Sequence, residues 1–423
     1  MTLGVFTTSI MGMNAQAHAM GQISTNVANV STVGYKRAET LFETKMSIYS
    51  HASQDKNSYS AGVVDRRQID VAGQLSETGS IYNLALNGQG FFIVDNGRDT
   101  YYSRAGDFMT TGVAPRGAEP QQVEVYQPQG NGVLTKSASA AYLINSSGFY
   151  VQGWNADING NFSNTLEPVI VSPSEYYPGH ETTVMQLKAN INATAMDEQQ
   201  VISFPVYDSS YIAKSARMMF DHVPNADTWD VKMNIEGAAF VELNPPQVRF
   251  NEGAKMTSPE DKKITATVTW EDGKTSTFTM DVANVTQYAA VTQGSVLSQD
   301  GYPYGNFTDF VWDANGVLSA NYDNGKRVAV CKVAVAQVQV PNNMEAISGN
   351  MFAYSRDCGN LSVVDLEETD ASVQVSGGWL EKSNVALEDE FSKMIITQRA
   401  YSSNTQTFTT INEMTQEAIS ILS

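Results

Sequence analysis

Residues 1–35 read MTLGVFTTSIMGMNAQAHAMGQISTNVANVSTVGY and contain no Asp, Glu, Lys or Arg. Apolar or small residues recur on a helical beat at Phe6, Ile10, Met13, Ala17, Met20 and Val27. The gaps are 4, 3, 4, 3 and 7, with Ser24 at the skipped position. That spacing is a heptad seam of the coiled-coil type. The other faces carry Thr, Ser, Asn, Gln and Gly, where a solvated helix would be dotted with Glu and Lys. Gly4, Gly12 and Gly21 each cost about 1 kcal/mol of helix propensity, so an isolated helix here is marginal. The segment is expected to be disordered alone and helical once packed in an assembly. A core helix of a monomer would carry less Asn, Gln and Ser.

The other end of the chain mirrors it. From Leu387 the seam runs Phe391, Met394, Gln398, Tyr401, Thr405, Phe408, Asn412, Thr415, Ile419 and Leu422, with gaps alternating 4 and 3. Ile395, Ile411 and Met414 widen the stripe. Arg399 is the last basic residue. Ser383 or Asn384 reads as the N-cap, followed by Glu388, Asp389 and Glu390 in the early turns, where acids suit the helix dipole. Two heptad segments at opposite ends of one chain can pair with each other.

Between them the pattern is β. Ile264, Ala266, Val268 and Trp270 alternate with threonines. Asp272-Gly273 follows, then residues 277–282, which together signal a hairpin. Trp229, Val231, Met233 and Ile235 alternate with polar residues, and residues 328–340 suit a central strand. Asn96-Gly97, Asn159-Gly160, Asn315-Gly316 and Asn324-Gly325 mark turns. The fold class is therefore mostly β with α-helical ends: two nested β domains plus a coiled-coil pair formed by the N- and C-terminal helices. The expected division is a helix over 1–34, a connecting segment over 35–70 and the first β domain over 71–167 and 293–376. An outer β domain is inserted over 168–292, and the second helix occupies 377–423. A length of 423 residues accommodates about three domains at roughly 150 residues each.

Composition excludes several classes of function. The formal net charge is −19, which argues against nucleic acid, since phosphate binding needs a basic face. It argues equally against docking on acidic lipid. No apolar run of about 18 residues is present, so no helical membrane insertion is expected. No Sec-type leader is legible, which by composition alone points to the cytoplasm. His18, His51, His180 and His222 lie outside metal-ligand spacing, and His18 reads as a polar packing residue. Asp157-Ile-Asn-Gly-Asn161 begins like a calcium loop but holds Phe162 and Pro168 where Gly and Glu are required, so it reads as a tight turn. Asn87-Gly-Gln-Gly90 lacks the third glycine of a dinucleotide loop. Cys331 and Cys358 are too few for a thiolate zinc site, and their pairing is left open. The acidic patch at 365–370 reads as a solvated loop. Neither a catalytic constellation nor a cofactor site emerges, so the chain reads as a non-enzyme.

Several motifs, taken in order, resemble the bacterial flagellar rod and hook proteins. They are Asn26-Val-Ala-Asn29-Val-Ser-Thr-Val-Gly34-Tyr35-Lys36, then Asn83-Leu-Ala-Leu-Asn-Gly-Gln-Gly-Phe-Phe92, then Tyr102-Ser-Arg-Ala-Gly-Asp-Phe108 and the Gly148–Trp154 segment. Trp312-Asp-Ala-Asn-Gly-Val-Leu-Ser-Ala-Asn-Tyr-Asp-Asn-Gly325, Gly377-Gly-Trp379-Leu-Glu-Lys-Ser-Asn-Val385 and Met394-Ile-Ile-Thr-Gln398-Arg399-Ala-Tyr401-Ser-Ser-Asn404 follow. They cover both ends and the first β domain. The insert at 168–292 is assigned by position and β pattern, and it resembles the hook branch of the family. Residues 109–144 are longer than the family pattern and read as an exposed loop or small hairpin.

The resemblance implies an extracellular tubular homopolymer at the hook and basal body of the flagellum, joining rod to filament and passing torque through a bend. It implies export through the flagellar type III apparatus without a cleaved signal peptide, which overrides the compositional reading. The implied partners are further copies of itself, the distal rod protein, the hook cap, the hook–filament junction protein and the export apparatus. Candidate assembly residues are Phe6, Ile10, Met13, Met20 and Val27 at one end. Leu387, Phe391, Met394, Tyr401, Phe408, Ile419 and Leu422 stand at the other. The motifs add Asn26, Asn29, Gln398, Arg399 and Asn404. Competing readings are a distal rod protein, a secreted β-rich adhesin and an extracellular glycan hydrolase, the last requiring a carboxylate pair about 5–9 Å apart.

Overall fold

The computed structural model describes residues 2–47, 58–116, 121–129, 132–224, 226–364, 366 and 373–422. Helix α1 spans Thr2–Ala28 and helix α2 spans Leu387–Leu422. At 27 and 36 residues they are about 40 and 54 Å long at 1.5 Å per residue. They pack antiparallel: Phe6 meets Phe408, Met13 meets Thr405, and Asn26 meets Glu390. Threonines make the uncharged surface of α2 compatible with a helix. The hydroxyls of Thr405, Thr407, Thr409, Thr410 and Thr415 each donate to the carbonyl four residues earlier, so they satisfy themselves without charged neighbours.

The connecting segment forms a two-stranded ribbon, Ala38–Ser47 against Ser58–Arg67, in register from Ala38↔Arg67 to Ser47↔Ser58. It lies against α1. Its start is set by Gly34 at φ +66°, where a Cβ would sit 2.5 Å from the Ala105 nitrogen. Glycine is required there both for the left-handed turn and for the close approach.

The first β domain is one large sheet assembled from both halves of the chain. Phe91–Asp95 pairs with Thr100–Ser103 and Tyr150–Asn155, and the latter pairs with Arg327–Val333 from beyond the insert. Phe92, Leu143, Val151, Leu318, Cys331, Val333 and Val335 form its core. The expected central strand over 328–340 is two strands, Arg327–Val333 and Val335–Val338, which pair with different neighbours. Two short pairs close the domain onto the chain ends: Leu84–Gly88 with Val373–Gly377, and Leu75–Glu77 with Trp379–Glu381. The extra segment at 109–144 contributes a hairpin, Gln122–Gln129 with Gly132–Ser139. The acidic patch at 365–370 lies outside the described residues except for Leu366, which is buried.

The insert is a sandwich of two five-stranded sheets. Lys263–Trp270 pairs with Thr275–Thr286 across the Asp272-Gly273 turn, and its Ile264, Ala266, Val268 and Trp270 point inward. Trp229, Val231, Met233 and Ile235 supply the facing sheet. The boundaries differ from those expected. Val169 and Val171 belong to the core of the first domain, and Tyr176–Tyr177 pairs with its strands. Gln293–Gln299 pairs with Val184–Asn190 inside the insert. The insert therefore runs from about His180 to Tyr302, whose backbones bridge at its base, rather than over 168–292. An apolar run such as 169–171 carries no sign of which core it will enter.

Candidate assembly interface

The face that α1 buries is offset from the expected seam. Ser9, Ala15, Ala19, Ile23 and Asn26 are buried, whereas Phe6, Ile10, Met13, Met20 and Val27 are half-buried along one flank and Ala17 is exposed. Small residues govern the contact because they let the backbones approach. A Cβ on Gly12 would lie 3.0 Å from the Asn404 amide nitrogen. The Phe6 and Phe408 rings meet at 4.4 Å between centroids, and the Thr405 hydroxyl approaches Met13 Sδ at 3.4 Å.

On α2 the expected seam separates into two groups. Met394, Asn404 and Phe408 are half-buried. Leu387, Phe391, Gln398, Arg399, Tyr401 and Ile419 are exposed in the single chain, and the Leu422 side chain lies outside the described residues. The buried positions are Glu390 and Thr397. A strict 3.5-residue repeat drifts around a helix of 3.6 residues per turn, so the apolar heptad meets the half-buried face at Met394, Phe408 and Thr415 and departs from it elsewhere. The expected N-cap is also displaced. The Asn384 side chain accepts from the Arg37 N–H at 2.7 Å and donates to the Gln68 and Val71 carbonyls, while α2 opens at Ala386, whose carbonyl accepts from Glu390 N–H.

Asn26 fastens α1, the ribbon and α2 together. Its Nδ2 donates to the Ala38 carbonyl at 2.8 Å and to Glu390 Oε2 at 3.0 Å. Its Oδ1 accepts from the Tyr35 hydroxyl and the Ala38 N–H, both at 3.1 Å. Every polar position of this buried amide is thereby used. Asn29 closes the end of α1, donating to the Thr25 carbonyl and accepting from the Thr32 hydroxyl. Burial raises the Tyr35 phenol above its ordinary value, against the opposing pull of Arg67. His18 faces Asp65 on the ribbon at 3.6 Å.

Below this lies a buried charged cluster. Lys36 Nζ donates to Glu381 Oε1 at 2.6 Å and to the Val71 carbonyl at 2.7 Å. The same carboxylate oxygen accepts from Gly73 N–H at 2.7 Å. Arg104 Nη1 stands 3.5 Å from Glu381 Oε2, and its guanidinium lies over the Phe91 ring at 5.1 Å. All three side chains are essentially solvent-free. Burial pulls the Lys36 ammonium below its ordinary range, opposed by the Glu381 charge. Lys36, Arg104 and Glu381 each lie in one of the motifs quoted above, yet their role is absent from the sequence reading. Lys36 is the one charge of its motif, whereas Arg104 shares its motif with Asp107 and Glu381 shares its with Lys382, so charge alone does not single them out.

Cys331 and Cys358 are both free and buried, in different core clusters, and burial pushes the Cys331 thiol far up. The Asp157 carboxylate accepts from its own turn at Asn159 and Asn161, and these bonds, Asn161 first, hold it below the usual carboxylate range. Among the described residues, no helix is long and apolar enough to cross a membrane.

Three family profiles match parts of the chain: "Flagella basal body rod protein" over residues 6–36, "Flagellar basal body protein FlaE D2 domain" over 180–302, and "Flagellar basal body rod FlgEFG protein C-terminal" over 376–421. The middle match coincides with the insert bounded by His180 and Tyr302. The chain is 28% identical over 427 residues to the flagellar hook protein FlgE of Brucella suis biovar 1 (strain 1330), covering 97% of each. It is 26% identical over 438 residues to that of Rhizobium meliloti (strain 1021), covering 99% of this chain and 98% of the relative. Among solved structures, the Helicobacter pylori flagellar hook protein FlgE2 aligns with a TM-score of 0.47 at 13% identity, covering 73% of this chain and all of that one.

Proposed function

Because the chain belongs to the flagellar hook protein family, as a structural subunit of the hook, we propose that it polymerises into a tube whose inner wall is made by α1 and α2. In that tube the β domains form the outer layers, and the polymer passes torque from rod to filament through a bend. Its ends contact the distal rod protein on one side and the hook–filament junction protein on the other, with a cap at the growing tip. Subunits leave the cell through the flagellar type III apparatus as unfolded chains. An uncharged, glycine-bearing end that orders only on packing suits that route.

The observation that carries this reading is the surface of α2. Phe391, Ile395, Ile396, Met414 and Ile419 are each at least half exposed in the single chain. A helix anchored at its start to the ribbon and the first β domain, yet apolar on outward faces, is built to be covered by further subunits. Heterologous contacts of this kind, which do not close, give an open helical filament. Electron microscopy of cell envelopes from a strain lacking the gene tests it. The expected result is basal bodies without hooks or filaments and loss of motility, restored by the intact gene. Intact hooks on swimming cells would overturn the reading.

A further inference from the structure

We propose that the junction between the insert and the first β domain is an aromatic clamp, closed by Tyr211 against Gly179, that makes the two domains one rigid arm. The hook reading supplies only the purpose of such an arm.

The chain crosses between the domains twice. His180 N–H donates to the Tyr302 carbonyl at 2.9 Å, and Tyr302 N–H donates back at 3.0 Å. The two domain cores are separate clusters. Two crossings joined by one bridge would ordinarily leave the domains free to move. Here two sets of contacts close the joint.

The first is Tyr211, on the loop between Gln200–Tyr207 and Ala213–His222. It holds φ +61°, a conformation uncommon for a residue with a side chain. Asp208 enforces it: its carboxylate accepts from Ser210 and Ile212 N–H, both at 2.9 Å, and its carbonyl accepts from Tyr211 N–H. The outcome is that Tyr211 lies on the neck. A Cβ at Gly179 would stand 2.4 Å from Tyr211 Cβ and 2.7 Å from the Tyr302 carbonyl oxygen, so only glycine fits beneath the ring.

The second is a group of phenols from both sides of the junction. Tyr177 lies 5.8 Å from Tyr126 and 5.3 Å from Tyr322 between ring centroids. The Tyr302 ring is stacked by His180 at 6.0 Å and capped by Lys326 Nζ at 3.8 Å. The Tyr322 hydroxyl donates to the Ser174 carbonyl at 3.0 Å. With the joint held on both sides, this neck takes up no strain when the polymer bends.

Spin labels at Arg98→Cys and Lys274→Cys, exposed sites on the first domain and the insert, read the inter-domain distance by pulsed electron resonance on the unpolymerised full chain. The native cysteines are fully buried and do not compete for label. One narrow distance peak is expected, lost to a broad distribution in Tyr211→Ala and in Gly179→Ala and retained in Tyr302→Phe. Fluorescence of the buried Trp229 and Trp270 certifies that the insert stays folded. A broad distribution in the parent chain, or an unchanged narrow peak in both folded variants, would overturn the clamp. Because the distances are read without polymerisation, the clamp stands or falls separately from the hook reading.

Discussion

Lys36 and Glu381, 345 residues apart in the chain, form a buried ion pair with Nζ donating to Oε1 at 2.6 Å. It joins the segment leaving α1 to the segment entering α2, and Arg104 brings the first β domain to the same carboxylate. The cluster thus ties the end of α1 and the start of α2 to the first β domain.

Glu381→Ala removes the carboxylate that pairs with both Lys36 and Arg104 and strands two buried cations. Breaking a buried pair from one side costs about 3–5 kcal/mol. Urea unfolding of the monomer should register that loss. Hydrogen exchange should quicken at Gly73, whose N–H donates to the same oxygen. Unchanged exchange at Gly73 would show that the carboxylate does not organise the segment.

Asn26→Ala leaves the Ala38 N–H and carbonyl and the Tyr35 hydroxyl without their partner. Each unsatisfied buried group costs about 1–3 kcal/mol, so the first turns of the ribbon should loosen against α1 and the melting temperature should fall. Asn26→Asp should be worse at neutral pH, because it sets a second carboxylate against Glu390, which now accepts from the amide. Acid should partly rescue that variant. Equal stability of the Asp and Ala variants from pH 4 to 8 would refute the assigned geometry.

Local patterns made the helices and the insert hairpin legible. The heptads at both ends and the alternation from Ile264 to Trp270 are set by residues within a few positions of one another. Features that depend on distant partners left no such trace. The apolar heptad marked Phe6, Met13 and Met20, which are half-buried, while the fully buried stripe of α1 uses Ser9, Ala15 and Ala19. Ser383 and Asn384 looked like caps, but the Asn384 side chain is spent on Arg37, Gln68 and Val71. The Lys36–Glu381–Arg104 cluster could not be read at all, since nothing in a local window predicts which charges meet.

The junction tyrosines give a pH dependence with a definite sign. Burial first, then neighbouring phenols, push Tyr302 and Tyr322 up to about 12, from an ordinary value of about 10. The folded chain therefore keeps two protons that the unfolded chain releases. Their contribution to stability is fully present below pH 10 and is lost as pH rises through 12. Spectrophotometric titration should reveal a late class of tyrosines, reduced by one in Tyr302→Phe and by one in Tyr322→Phe. A single titration near pH 10 would contradict the packing of the joint.

Tyr401 and Met13 separate assembly from folding. Tyr401 is 40% exposed in the single chain, so Tyr401→Asp should change monomer stability by no more than about 0.5 kcal/mol. If further subunits cover that face, the same carboxylate becomes a buried, unpaired charge at a cost of several kcal/mol per subunit, and polymerisation should fail. Met13 is half-buried against Thr405 within the chain, so Met13→Asp should weaken the α1–α2 pair as well as assembly. Circular dichroism melts of the two purified variants, set beside sedimentation of polymer, resolve the cases. The expected pattern is a normal melt with no polymer for Tyr401→Asp, and a lowered helical melt with no polymer for Met13→Asp. Normal polymer from Tyr401→Asp would remove this face of α2 from the interface.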